Sequence, residues 1–294
     1  MQGIILIDKP AGITSAEVVR RIKAWVKPAR VGHLGTLDPF ATGVLPILIG
    51  EATKLAPLLE GGDKEYEGLI RLGQETDTLD RDGKIVREAP VPAVSEDALR
   101  AVEGRFSGRI EQIPPVFSAL KRQGVRLYEL ARKGLDVEPP PPRTVEIKRI
   151  SLAVEAPDLI RFCAVCSPGT YARSLARDIG VALGTVGHLF ELRRLRNGPF
   201  HLKDAISLDD AVVGLAARTE IRVISLRDAL FGMPEVAIDE RSEARLRNGD
   251  ARALDGMVPA GAEMFKVLRE GRLVAVAKAT SRATAAIVRV FSAK

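Results

Sequence analysis

Asp38 is the side chain in this sequence best placed to do chemistry. It is the only acid between Glu17 and Glu51, within Gly32-His33-Leu34-Gly35-Thr36-Leu37-Asp38-Pro39-Phe40-Ala41-Thr42-Gly43-Val44-Leu45-Pro46. Glycines at 32, 35 and 43 and prolines at 39 and 46 bend an otherwise apolar run repeatedly. Pro39 also restricts Asp38 to an extended backbone. A carboxylate on a stiff apolar loop loses solvation unless it is paired or used. Residue chemistry alone leaves two readings open, a catalytic acid and a turn-forming or capping Asp.

Other suggestive groupings fail on spacing. Cys163-Ala164-Val165-Cys166 has the C-x-x-C form, but no further cysteine exists to complete a zinc site. On a strand, positions three apart point to opposite faces, so structural burial is the expectation. Asp77, Asp80 and Asp82 resemble a calcium loop until its third and fifth positions, which are Leu79 and Arg81. Gly32-His33-Leu34-Gly35 has the GXXG form of an RNA-clamping loop, a weak signal alone. Neither G-x-x-x-x-G-K-[ST] nor G-x-G-x-x-G occurs.

The elements that must position these side chains follow from local pattern. Gly3–Ile7 predicts a strand and Lys9-Pro10-Ala11-Gly12 a turn. Thr14 with Glu17 forms a capping box opening a helix through Trp25. Tyr66–Leu72, Thr144–Val154 and Leu159–Cys166 predict strands, and Ala172–Ala182 a helix. Pro139 to Pro142 is a stiff polyproline connector. Without a regular βαβ period or an internal repeat, the mixture predicts an α+β sheet. Gly232-Met233-Pro234-Glu235 punctuates the chain. Beyond it lie a helix at Glu240–Arg247 and strands near Met264–Leu268, Leu273–Lys278 and Ala286–Phe291. The expected domains are 1–232 and a small β-rich module at 233–294.

Composition narrows the partners. At 294 residues, about 150 per domain suggests two domains. With 46% hydrophobic and 28% charged residues, the chain is not expected to be disordered. No apolar run nears the roughly 18 residues that span a bilayer, and Ile4–Ile7 is cut short by Asp8 and Lys9 before it could form a signal peptide. Two cysteines fit a reducing cytoplasm. The net charge of +6 favours a polyanionic partner, and residues 233–294 hold 11 Lys/Arg against 8 Asp/Glu, half of that excess. Aromatics at 4% argue against a surface of stacked rings.

Several segments together resemble the bacterial tRNA pseudouridine-55 synthases. The Asp38 loop is similar to that family's catalytic motif. Lys9-Pro10-Ala11-Gly12-Ile13-Thr14-Ser15 resembles its K-P-x-G-x-T-S motif. Lys64-Glu65-Tyr66-Glu67 with Gly73-Gln74-Glu75-Thr76-Asp77-Thr78 is similar to the strand carrying its active-site tyrosine. Gln112-Ile113-Pro114-Pro115-Val116-Phe117-Ser118-Ala119-Leu120-Lys121 resembles the start of its RNA-gripping insertion. Cys166-Ser167-Pro168-Gly169-Thr170-Tyr171-Ala172-Arg173-Ser174-Leu175 matches its G-T-Y-x-R motif, and Leu192-Arg193-Arg194-Leu195 its L-R-R segment. The motifs run in family order over roughly residues 3–200, and the tail resembles a PUA RNA-binding module more weakly.

The resemblance implies a mixed, largely antiparallel sheet with flanking helices, a PUA-like C-terminal domain and an RNA-gripping insertion at about 113–142. It implies that the T-loop uridine at position 55 of tRNA is flipped out, cleaved at its glycosidic bond and rejoined through carbon, with no cofactor and no metal. Asp38 would be the catalytic carboxylate, attacking ribose or uracil. Arg173 would pair with it, Tyr66 would stack on the uracil, and Tyr171 and Leu192 would line the pocket. His33 would fill the gap left by the uridine, while Lys9 and Pro10 would shape a neighbouring loop. Lys121, Arg122, Arg126, Arg132, Arg193 and Arg194 would contact the RNA backbone. The expected partner is the T-arm stem-loop of tRNA, bound by a cytoplasmic monomer without membrane or obligate protein partner. The rival readings are a tRNA-folding chaperone and a guide-RNA-dependent synthase subunit.

Overall fold

Two sheets organise the chain. The structure, a computed structural model, describes residues 1–117, the backbone of 121–122 and 125–126, residue 138, and 140–292. The strands are β1 (Gly3–Lys9), β2 (Val31–His33), β3 (Thr42–Ile49), β4 (Lys64–Leu72), β5 (Gln74–Thr76), β6 (Ile85–Glu88), β7 (Gly108–Gln112), β8 (Lys121–Arg122) and β9 (Val125–Arg126). They continue with β10 (Arg143–Ala156), β11 (Leu159–Cys166), β12 (Gly187–Asn197), β13 (Phe200–His201), β14 (Ile206–Ser207), β15 (Glu235–Ala237), β16 (Met264–Arg269), β17 (Arg272–Ala279) and β18 (Ala285–Val290). The large sheet runs β14-β1-β3-β12-β4-β11-β10-β7, with β2 paired to β3 and β13 to β12. Only the β1–β14 and β3–β12 pairs in it are parallel. The expected α+β class with a mixed, largely antiparallel sheet is what the chain adopts.

Local signals explain the elements that the pattern foretold. Thr14 caps helix Ser15–Trp25 by accepting from the Glu17 amide at 3.1 Å, and Ser15, Val18 and Ile22 form its buried face. Ala172–Ala182 is a helix and Leu159–Cys166 a strand at the expected bounds. Tail helix Glu240–Arg247 does the same, capped by Asp239. Two central strands escaped pattern reading. β3 occupies the second half of the segment taken as a bent loop, because Gly43 to Ile49 are buried and show no alternation. Leu192, for which no element was expected, lies in the middle of β12. Gly43 must be glycine there: its φ is +105°, and a Cβ would stand 2.5 Å or less from the Arg194 backbone.

The sheet divides where function will sit. β12 pairs with β3 only at Arg193–Thr42 and Arg194–Gly43. Further along the same strand a turn takes β3's place, since Asp80 bridges Leu189 in parallel. The Leu189 amide donates to Leu79 at 3.0 Å and the Arg81 amide to Leu189 at 3.1 Å. The loop before β3 and the turn after β5 are thereby brought to one opening in the sheet.

The small sheet, β15-β16-β17-β18, is not a free appendage. Ile4, Leu6, Val44 and Leu48 of the large sheet share one buried cluster with Leu268, Leu273, Val276 and Phe291. Lys54 Nζ donates to the Val290 carbonyl at 3.2 Å, and the Ser292 amide to Glu51 at 2.7 Å. Within the small unit, buried Glu243 accepts from Arg247 (2.7 Å), Arg269 (2.9 Å) and Arg272 (2.8 Å), tying helix to hairpin. These three guanidinium groups outweigh burial and hold its carboxyl at about 2.

Candidate active site

Backbone groups hold the Asp38 loop from several sides. Lys9, fully buried, donates its ammonium to the carbonyls of Pro10 (2.8 Å), Pro39 (3.1 Å) and Ala41 (2.8 Å). The Gly12 amide also donates to Pro39 at 2.9 Å. Ser15 Oγ donates to the Leu37 carbonyl (3.1 Å) and accepts from the Leu37 amide (2.9 Å). Asn197 donates to Leu34 at 2.8 Å, and Arg194 to both Gly35 and Val44 at 2.9 Å. Burial pushes the Lys9 ammonium down to about 8; Asp38 opposes that shift and Arg194 reinforces it. The K-P-x-G-x-T-S stretch therefore acts as a clasp, with the backbone of the Asp38 loop as its object.

Arg173 completes the site from the first turn of helix Ala172–Ala182. Its Nε lies 3.0 Å from Asp38 Oδ2 and its Nη2 donates to Oδ1 at 3.1 Å, a two-point fork. Nη1 donates to the Thr78 carbonyl at 3.1 Å and lies 3.4 Å from Asp80 Oδ2, while Nη2 also donates to Phe117 O at 3.0 Å. The guanidinium is 8% exposed, whereas Asp38 keeps 31% of its side chain open. One carboxylate thus faces outward and is held by a cation that is itself almost wholly buried. Asp80, set aside in the sequence as part of a failed calcium loop, brings a second carboxylate to Arg173. It accepts from Thr78 Oγ1 at 2.6 Å and from the Asp82 amide at 3.1 Å. Burial raises its pKa against the pull of Thr78 and Arg173. The guanidinium of Arg81 lies 5.6 Å from the centroid of Phe40, tying this turn to the Asp38 loop.

The remaining expected pocket residues take different places around this pair. Tyr66 lies on β4 opposite Ala164 and Arg194, 9% exposed. Burial raises its hydroxyl pKa; the Arg194 charge opposes this and the Asp38 charge adds to it. Lys9, Tyr66 and Asp80 all feel the Asp38 carboxylate. Leu192 lines a cavity of about 330 Å³ with Ala11, Phe40, Thr42, Arg81 and Glu191, beside the loop. Tyr171 is half-buried at the start of Arg173's helix, with the Arg143 guanidinium 4.4 Å from its ring centre. His33 on β2 has its Nδ1 buried without a hydrogen-bond partner, and burial followed by the Arg194 charge lowers its pKa.

The expected RNA-contact residues need one correction. Arg194 is fully buried, spending two nitrogens on loop carbonyls, so it cannot meet a phosphate. Successive residues on a strand face opposite ways, and Arg194 took the inward side. Arg193 took the outward one and pairs with Asp8 at 2.7 Å, 38% exposed. The side chains of Lys121, Arg122 and Arg126, and all of Arg132, lie outside the described residues. Cys163 is exposed and Cys166 buried, its thiol pushed up to about 11 by burial. Among the described residues, no three His, Cys, Asp or Glu side chains group to hold a metal ion.

Comparison with known proteins gives concordant matches along the chain. Residues 23–172 match the model of the TruB family pseudouridylate synthase N-terminal domain, and residues 173–233 that of the tRNA pseudouridylate synthase B C-terminal domain. The chain is 40% identical to tRNA pseudouridine synthase B of Aromatoleum aromaticum, covering 99% of this chain and 93% of that protein. It is 42% identical to the protein of the same name from Geobacter sulfurreducens, covering 94% and 93%. Among solved structures, an H/ACA RNP bound to a substrate RNA containing 2'-deoxyuridine superposes with a TM-score of 0.71 at 27% identity, covering 99% of this chain and 85% of that one.

Proposed function

Because this chain belongs to the TruB pseudouridylate synthase family and isomerises uridine to pseudouridine in tRNA, we propose that its target is the T-loop uridine at position 55 and that Asp38 is the catalytic carboxylate. The observation that carries the proposal is the fork of Arg173 on a half-open Asp38. The fork leaves the carboxylate no rotational freedom, so it approaches the nucleotide from one fixed direction. Attack on the ribose or the uracil ring weakens the bond between C1′ and the ring nitrogen. The freed ring turns, C5 bonds to C1′, the bond to the Asp38 carboxylate breaks again, the C5 proton leaves and the former glycosidic nitrogen takes up a proton. All substrate atoms except that exchanged proton are retained.

Base chemistry of this kind needs the nucleotide outside the stack. Tyr66 supplies an aromatic face for the ring, Leu192 and Tyr171 border the pocket, and His33 occupies the space vacated in the loop. Arg193 and the basic residues Lys121, Arg122, Arg126 and Arg132 hold phosphates of the T-arm. Residues 1–232 carry the chemistry and 233–294 form a PUA-like RNA-binding unit. Its partner in this reading is tRNA alone, bound by a monomer that needs no obligate protein partner. No helix among the described residues is long and apolar enough to cross a membrane, and we place the enzyme with its tRNA in the cytoplasm. The guide-dependent alternative is disfavoured, because identity is 40–42% to tRNA enzymes against 27% to the protein of the H/ACA RNP.

Asp38→Asn tests the assignment. It keeps size and removes the anion, so tRNA affinity should stay within about tenfold, roughly 1.4 kcal/mol. Tritium release from C5-labelled uridine in tRNA under single turnover should fall by about three orders of magnitude or more, for lack of a substitute nucleophile. Release near the parent rate would show that Asp38 is structural.

A further inference from the structure

The segment between β7 and β10 begins and ends against the same short stretch, Tyr171 to Ser174. At its entrance, Gln112 is 1% exposed and uses both ends of its carboxamide on one residue. Its Oε1 accepts from the Tyr171 amide at 2.8 Å, and its Nε2 donates to the Tyr171 carbonyl at 3.1 Å. One residue on, the Ile113 carbonyl accepts from Ser174 Oγ at 2.7 Å. At Phe117 the carbonyl accepts from Arg173 Nη2 at 3.0 Å. At the exit, Arg143 lies over the Tyr171 ring at 4.4 Å. The entrance and exit of the segment therefore form a collar around the residues that carry Arg173.

We propose that Gln112 is a positioning residue, which sets Arg173, and through it Asp38, according to where the segment after β7 sits. The helix start needs such an outside brace, because Tyr171 at its N-cap makes no side-chain cap bond. Gln112 supplies that brace from the root of the segment. Arg173 then distributes itself among Asp38, Asp80, Thr78 and Phe117, so a displaced Tyr171 or Phe117 turns the fork on Asp38.

This proposal rests on the assignment of Asp38 above, and a double-mutant cycle separates the two. Gln112→Leu keeps the volume and removes both bonds. It should lower the single-turnover rate at saturating enzyme by tenfold or more, with the tRNA Kd by filter binding within threefold. In an Arg173→Lys background the same change should cost less than threefold, because the fork it adjusts is gone. Equal losses in both backgrounds, a loss confined to Kd, or no loss would overturn the role of Gln112. Asp38→Asn run beside them tells which idea failed, since an active Asn variant overturns the earlier assignment instead. If Gln112→Leu does not fold, Gln112→Glu serves. It keeps the acceptor for the Tyr171 amide but opposes the Tyr171 carbonyl with an oxygen until the carboxyl is protonated. Its rate relative to the parent should rise as pH falls towards about 5, near and above the ordinary Glu value; a flat ratio would refute the positioning role.

Discussion

Replacing Arg173 with lysine keeps the positive charge and destroys the fork. Arg173 reaches both oxygens of Asp38, one of Asp80, and the carbonyls of Thr78 and Phe117. A lysine offers three N–H groups from a single atom, so at least two of those five acceptors go unmet. One ammonium also cannot make two parallel bonds to Asp38. Losing one charge-assisted bond there costs about 1.5–3 kcal/mol. If that loss falls on the transition state, the rate drops by about 10- to 150-fold. Binding should be spared, because a guanidinium 8% exposed does not touch phosphate. The assay is single-turnover tritium release with saturating Arg173→Lys enzyme, beside filter binding of the same tRNA. A rate within threefold of the parent would refute the claim that the fork, and not charge alone, aims Asp38. A loss that vanished at saturation would refute it as well.

Two further predictions follow from the buried charges. Lys9 has its folded pKa lowered from 10.5 to about 8, so the folded state holds that proton less tightly than the unfolded chain. Stability should rise from pH 8 towards 10 for the parent, and Lys9→Met should lack that rise in urea midpoints; parallel curves would refute it. Glu243 has its folded pKa depressed to about 2, so its contribution is present above pH 4.5 and lost as pH falls through 2. Glu243→Gln should cost roughly 3–5 kcal/mol in denaturant unfolding at neutral pH, as when one partner of a buried pair is removed. It should also flatten the acid side of the stability profile, and an unchanged unfolding midpoint would count against the arginine cluster.

What was legible in the sequence followed how local its cause was. The helix capped by Thr14 and the tail helix capped by Asp239 announce themselves by caps and apolar spacing within a dozen residues, and Ala172–Ala182 by apolar spacing alone. β3 does not, since a strand buried on both faces loses the alternation that marks a strand, and its glycine and proline read as loop. Asp38 stood out by its isolation, yet its partner Arg173, 135 residues away, came from the family resemblance and not from any spacing. Asp80 was visible as part of a tight acidic turn. Its role depended on where that turn lands, against Leu189, and nothing near residue 80 encodes this. Arg193 and Arg194 looked alike as neighbours, and only the sheet decides which of them faces inward. Gln112 carried no local signal, for its value lies in reaching both polar backbone groups of a residue 59 positions on.

The buried cluster that joins the two sheets sets a schedule for the ribosome. Ile4, Leu6, Val44 and Leu48 are made early, but Leu268, Leu273, Val276 and Phe291, which close over them, are made in the last tenth of the chain. At about 5–20 residues per second, the stretch from Gly232 to Phe291 takes roughly 3–12 s to synthesise. Throughout that interval the strands of the large sheet exist while one side of their shared cluster is wet. Apolar surface left open for seconds is what draws nascent chains into association with each other. A premature stop or a slow codon run in that last portion would therefore lower the yield of soluble enzyme, even though every residue of the proposed active site had already been made.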